Sequence, residues 1–105
     1  LLTAELEDLD NSALRNLNDQ LKDKIDTAVI VLASKADNKV IFVASVTRDL
    51  IEKGFKAGDI ISKVAGIAGG GGGGRPDMAQ AGGSKPEKTA AALAEVEKIV
   101  KEIAG

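Results

Sequence analysis

Residues 69–74 are six consecutive glycines, and no other feature constrains the fold of this chain so tightly. Glycine in the middle of a helix or strand costs roughly 0.5–1 kcal/mol relative to alanine, because it loses the most backbone freedom on folding. A flexible linker is ordinarily diluted with serine. This run has none and passes directly into Arg75-Pro76-Asp77-Met78-Ala79-Gln80-Ala81-Gly82-Gly83. It also lies between a stretch of helical period, 60–68, and a short apolar stretch of strand character. The run is therefore expected inside a domain, as a glycine loop over 69–74. Two gains offset its cost: turns with φ > 0, and close approach of another molecule to bare backbone.

Two phosphate-binding loops are excluded at once. The run lacks the Gly-Lys-Ser/Thr ending of a nucleotide-binding loop. It follows a helical pattern, whereas a dinucleotide fingerprint follows a strand. An open glycine surface suits contact with a polynucleotide backbone or an exposed base; the alternative is a surface loop without a ligand.

Composition narrows the chemistry further. The 105 residues suffice for one domain with a modest core. Aromatic residues are only Phe42 and Phe55, so the core must be built from Ile, Leu, Val and Ala. With no Cys and no His, disulfides and zinc sites fall away, and a nucleophile has no imidazole base. Lack of Cys fits a reducing, cytoplasmic setting. No apolar run approaches the roughly 20 residues of a membrane span. The start at Leu1, without Met or a basic end, reads as a piece excised from a longer protein rather than a signal peptide.

The net charge of −2 argues against a nucleic-acid binder until its distribution is followed. Residues 1–34 carry seven acidic and three basic side chains, the latter being Arg15, Lys22 and Lys24. Residues 35–88 carry nine basic and six acidic ones, and the glycine run lies in this basic part.

Hydrophobic periodicity predicts a small α/β domain, with a mixed central sheet, flanking helices and an N-terminal helical lead-in. Leu2, Leu6, Leu9, Ala13, Leu17, Leu21 and Ile25 recur at intervals of three and four, which predicts helix over 1–26 with a break near Asp10. The globular part is expected over 27–105. Residues 28–34 and 40–46 are apolar at nearly every position and read as paired strands with both faces covered. A short helix is expected over 48–53, capped by Thr47, and another over 57–68. A short strand follows near 78–81. Ser84-Lys85-Pro86-Glu87 reads as a capping box opening a last helix that carries Leu93, Val96, Val100 and Ile103, with Gly105 ending it.

Candidate contact residues follow from the chemistry of an anionic partner. Gly70, Gly71, Gly72, Gly73 and Gly74 offer bare backbone. Arg75 can grip a phosphate with two bonds or stack on a base, or simply pair with Asp77. Gln80 can read a base edge or a 2′-hydroxyl. Lys85 and Lys88 begin the last helix, and Lys53, Lys56 and Lys63 extend a phosphate track. Asp49, Glu52 and Asp77 form no persuasive catalytic pair, and the chain itself is not read as an enzyme; no cofactor and no metal are expected. Replacing Gly72 and Gly73 with Val is expected to block a partner's approach.

The string from Gly70 to Gly83 resembles the glycine-rich signature near the C-terminus of alanyl-tRNA synthetases. That region belongs to RNA-binding domains found attached to DHH-type phosphoesterases and to these synthetases. Val43-Ala44-Ser45-Val46-Thr47, Lys56-Ala57-Gly58-Asp59-Ile60-Ile61 and the Ala-rich C-terminal helix agree with it, over about residues 25–105. The resemblance implies a tRNA-binding domain of an alanine–tRNA ligase, a cytoplasmic protein of translation. Its partner is then tRNA, that for alanine, held by its outer corner so that aminoacylation and editing sites act on the same molecule. Two other readings stay open. The N-terminal Leu stripe can serve self-association. The same surface can take DNA, because phosphate contacts are indifferent to the sugar.

Overall fold

In the computed structural model, which describes residues 1–104, the elements run in the order β1 (Leu2–Glu7), α1 (Asn11–Lys24), β2 (Val29–Lys35), β3 (Val40–Val46), α2 (Arg48–Glu52), α3 (Ala57–Ile67), β4 (Gly70–Gly74), β5 (Met78–Gly83) and α4 (Thr89–Ala104). The strands form one five-stranded sheet in the order β1-β2-β3-β5-β4. β1 pairs with β2 in parallel, and all other pairs are antiparallel. The expected small α/β domain with a mixed sheet and flanking helices is the fold observed.

The two apolar runs form the middle of the sheet because both of their faces are covered. Side chains alternate along a strand. Ile30, Leu32 and Val43 thus meet Leu14 of α1 on one face. Val29, Val31 and Phe42 meet Ile60, Ile61 and Val64 of α3 and Val96 of α4 on the other. Both Phe42 and Phe55 are buried.

The N-terminal expectation requires correction. Residues 2–7 are an edge strand, not the first turns of a helix. Leu2, Ala4 and Leu6 turn inward against α1, while Thr3, Glu5 and Glu7 are exposed. A spacing of four, Leu2 to Leu6, satisfies both the strand period of two and the helical period of 3.6, so the pair alone did not discriminate. The break at Asp10 is where it was expected: its carboxylate accepts the Ala13 amide at 2.8 Å and caps α1. There is no continuous helical stripe over 1–26 for a partner to use, and Leu2, Leu6, Leu9, Leu17, Leu21 and Ile25 pack within this chain.

The deepest residues of α1 are Leu14 and Asn18. Asn18 donates from Nδ2 to the Val43 carbonyl at 3.3 Å and accepts the Ser45 hydroxyl, which pins the helix to β3 through a fully satisfied polar pair. Leu21 is only half-buried. Leu21→Ala should therefore cost about 1–2 kcal/mol, less than the roughly 2–5 kcal/mol of a fully buried leucine such as Leu14. Urea melts of the two alanine variants test this ranking; equal costs would contradict it.

Two further expectations change. The glycine run is not a loop: Gly70–Gly74 is an edge strand, paired with β5 from Gly70↔Gly83 to Gly74↔Ala79. Ser84 opens no capping box. Its hydroxyl donates to the Gly69 carbonyl at 3.2 Å, Pro86–Lys88 forms a 3-10 turn, and α4 starts at Thr89. Thr47 does stand before α2 but does not cap it with its side chain. Its hydroxyl accepts the Ala28 amide at 3.1 Å and donates to Asp49 at 2.6 Å. Asp49, which also accepts the Thr27 hydroxyl, is held below the ordinary carboxylate range by these two bonds. Gly105 lies outside the described residues.

Candidate nucleic-acid interface

The glycine strand has two unlike faces. By the ladder register, Gly70, Gly72 and Gly74 share a face with Ala79, Ala81 and Gly83, on the side where α3 packs. No side chain fits there. A Cβ on Gly72 would stand 2.5 Å from both the Ala81 Cβ and the Gln80 carbonyl oxygen, and one on Gly74 would stand 2.7 Å from the Met78 carbonyl oxygen. The helix is equally tight: a Cβ on Gly58 would stand 2.7 Å from the Gly74 carbonyl oxygen. Alternate glycines are thus required by the fold itself: a side chain at 70, 72 or 74 would strike the paired strand β5, and Gly58 is what lets α3 lie against β4.

Gly71 and Gly73 face the other way, and a Cβ on either would meet nothing within 4 Å. Their ladder partners are Gly82 and Gln80, which in turn stand opposite Ile41 and Val43 on the α1 face of the sheet. α1 packs over β2 and β3, and the glycine edge lies beyond it, fully exposed. The result is a bare step: α1 is the wall, and Met78, Gln80, Gly82, Gly71 and Gly73 form the floor. The fold gives no reason for glycine at 71 and 73.

The hairpin between β4 and β5 turns tightly through Pro76 and Asp77, with the Arg75 amide donating to the Met78 carbonyl at 2.9 Å. Arg75 is exposed at its tip, and its Nε lies 3.4 Å from Asp77 Oδ1. The pairing that sequence left as an alternative is therefore present. An ion pair this exposed contributes about 0–1 kcal/mol and yields readily to a phosphate.

An open cleft of about 470 Å³ lies at this end of the strand, lined by Gly73, Gly74, Arg75, Met78, Ala79, Gln80 and Arg15. Sequence reasoning missed Arg15. It stands in the acidic N-terminal part, and nothing in its local sequence says that β5 is inserted beside β3, bringing the hairpin within reach of α1.

The lysines are dispersed. The Lys85 side-chain stem lies against Gly69, so Lys85 marks the Gly70 end of the strand and Arg75 the Gly74 end. At about 3.3 Å per residue those ends are roughly 13 Å apart. Lys56 precedes α3, where the next amide, Ala57, donates to the Pro76 carbonyl at 2.8 Å; Lys56 thus stands beside the Arg75 turn. Lys63 is on the solvent side of α3, and Lys53 ends α2; neither lines the cleft. Lys88 is on the 3-10 turn, whose Pro86 and Glu87 face Glu7, Asp8 and Asp37, an acidic neighbourhood. It is not brought together with Arg75. Among the described residues, no group of His, Cys, Asp or Glu is arranged to hold a metal ion, and no helix is long and apolar enough to cross a membrane.

The chain is similar to known proteins along most of its length. The model of the DHHA1 domain matches residues 1–102. Alanine–tRNA ligase of Natranaerobius thermophilus is 52% identical over 101 residues, 96% of this chain, and that of Bacillus subtilis is 52% identical over 98% of it. The chain spans about 12% of the length of those ligases. The crystal structure of the C-Ala domain from Aquifex aeolicus alanyl-tRNA synthetase superimposes with a TM-score of 0.83 at 36% identity, over 97% of this chain and 88% of that one. A DHH domain described as a member of a family of ribosomal proteins shares the fold at 17% identity and a TM-score of 0.57, over 85% of this chain and 20% of that one. Matched along nearly its whole length at both levels, the chain belongs to the DHHA1 domain family and, within it, to the C-Ala domains of alanyl-tRNA synthetases.

Proposed function

We propose that this domain binds tRNA, and that it does so within an alanine–tRNA ligase of the cytoplasm. It holds the outer corner of the tRNA that accepts alanine, so that one acceptor end is presented in turn to the aminoacylation and editing sites. The observation that carries this reading is the exposed face of the glycine strand. Gly71 and Gly73 are not needed by the fold, and a surface kept bare of side chains admits a flat partner to within contact of the backbone.

The chemistry of the surface selects the mode of contact. Single-stranded RNA is usually read by stacking on aromatic side chains. Here Phe42 and Phe55 are both buried, so no such platform is offered. Recognition then rests on the shape of a folded RNA and on its phosphates, with Arg75 and Lys56 at one end of the strand and Lys85 at the other. Gln80, half-buried in the floor, supplies an amide able to meet a base edge or a 2′-hydroxyl.

Titration of the chain with full tRNA and with an acceptor-stem minihelix, which lacks the outer corner, tests the assignment. Full tRNA is expected to bind at least about tenfold tighter, a difference of 1.4 kcal/mol. Equal affinities would contradict a corner-directed surface. Duplex DNA of similar length, titrated alongside, distinguishes RNA recognition from general phosphate attraction.

A further inference from the structure

We infer that Arg15 of α1, outside the glycine signature, is a phosphate-binding residue that faces Arg75 across the cleft over Gly73 and Gly74. This rests on the RNA-binding reading of the glycine face and names a contact within it.

Three observations carry the assignment. First, Arg15 and Arg75 line the same open cleft of about 470 Å³, although they are sixty residues apart in sequence. Second, Arg15 is exposed and takes part in no ion pair among the described residues. Asp19 stands four residues on, at the spacing where a helical pair forms readily, yet the two are not within pairing distance. Third, its position on the helix is fixed from below. Leu14 is completely buried, and Asn18, one turn on, is locked to Val43 and Ser45. A guanidinium carried on a clamped helix loses less freedom on binding than one on a loose segment.

The floor between the two arginines decides what they can hold. Gly73 and Gly74 leave it without side-chain cover, Met78 and Ala79 make part of it apolar, and Gln80 adds one amide. Two cations and no acidic residue line this cleft, and Asp77 at the hairpin turn is already engaged by Arg75. An anion thin enough to lie on bare backbone completes the arrangement. A phosphodiester of an RNA strand has that shape, and each of its non-bridging oxygens accepts from a guanidinium fork. The ribose and base next to it would rest on Met78 and Gln80.

The test compares Arg15→Ala with Arg48→Ala. Both remove one positive charge, but Arg48 begins α2 and lines a different cavity, with Asp19, Lys22 and Thr47. Affinity for tRNA is measured at several salt concentrations, with folding checked by circular dichroism. Arg15→Ala should bind about ten- to a hundredfold weaker, in the range of a hydrogen bond to a charged group, while Arg48→Ala changes affinity less than about twofold. The slope of log K against log salt should fall by about 0.7–0.9 in Arg15→Ala, the loss of one phosphate contact. Arg15→Lys should restore the slope but not the whole affinity, because a lysine lacks the fork. Indistinguishable affinities for Arg15→Ala and Arg48→Ala would overturn the assignment. If the Gly71→Val/Gly73→Val double variant loses binding while Arg15→Ala does not, the glycine face stands as the RNA surface and only Arg15 is wrong. If the parent chain itself fails to bind tRNA, both readings fall together.

Discussion

Gly72→Val is expected to destabilise the domain by about 3–5 kcal/mol, whereas Gly73→Val, at the next position, should stay within about 1 kcal/mol of the parent. The contrast follows from which side of the strand each residue faces. At 72 the first carbon of any side chain already lies 2.5 Å from the Ala81 Cβ and the Gln80 carbonyl oxygen. Neither neighbour can give way. β5 is held between β3 and β4 by ladders on both sides, and α3 is fixed by the fully buried Ile60, Ile61 and Val64. The α3 entrance is also tied to the hairpin through the Ala57 amide and the Pro76 carbonyl. Accommodation therefore requires the edge strand to leave the sheet. At 73 the same side chain projects into open space, and a β-branched residue suits an extended backbone. A small domain has about 5–15 kcal/mol of stability in all, so the first variant forfeits a large share of it. Urea denaturation followed by far-UV circular dichroism measures both. Similar midpoints for the two variants would contradict the two-faced description of the strand.

This contrast also shows where sequence reading reached and where it stopped. β2 and β3 were legible because long runs of Val, Ile and Ala on both sides of a short turn leave few alternatives to a buried hairpin. The start of α1 was legible because Asp10 precedes it and can cap it. β1 was not, since leucines four apart fit a strand as well as a helix, and only the parallel partner β2 decides between them. The glycine run announced a close approach without saying by what. The answer is double: the paired strand β5 presses on one side at Gly70, Gly72 and Gly74, and the other side is open at Gly71 and Gly73. Replacing Gly72 together with Gly73, the change suggested by sequence alone, would thus confuse loss of fold with loss of contact. Arg15 was invisible for a topological reason. β5 enters the sheet between β3 and β4, and this insertion carries the hairpin tip to the flank of α1.

The decisive measurement is the tRNA affinity of the double variant Gly71→Val/Gly73→Val against that of the parent chain. Both positions face away from α3 and meet nothing within 4 Å, so the variant should fold with an unchanged melting transition. Its surface, however, is no longer bare. Two branched side chains stand over the floor beside Gln80 and hold any flat partner several ångströms off the backbone, out of reach of the amides and of Arg75. Binding should weaken by about fiftyfold or more, above 2 kcal/mol. A folded double variant that binds tRNA as tightly as the parent would contradict the account: the bare face of the glycine strand would then not be the surface that meets RNA.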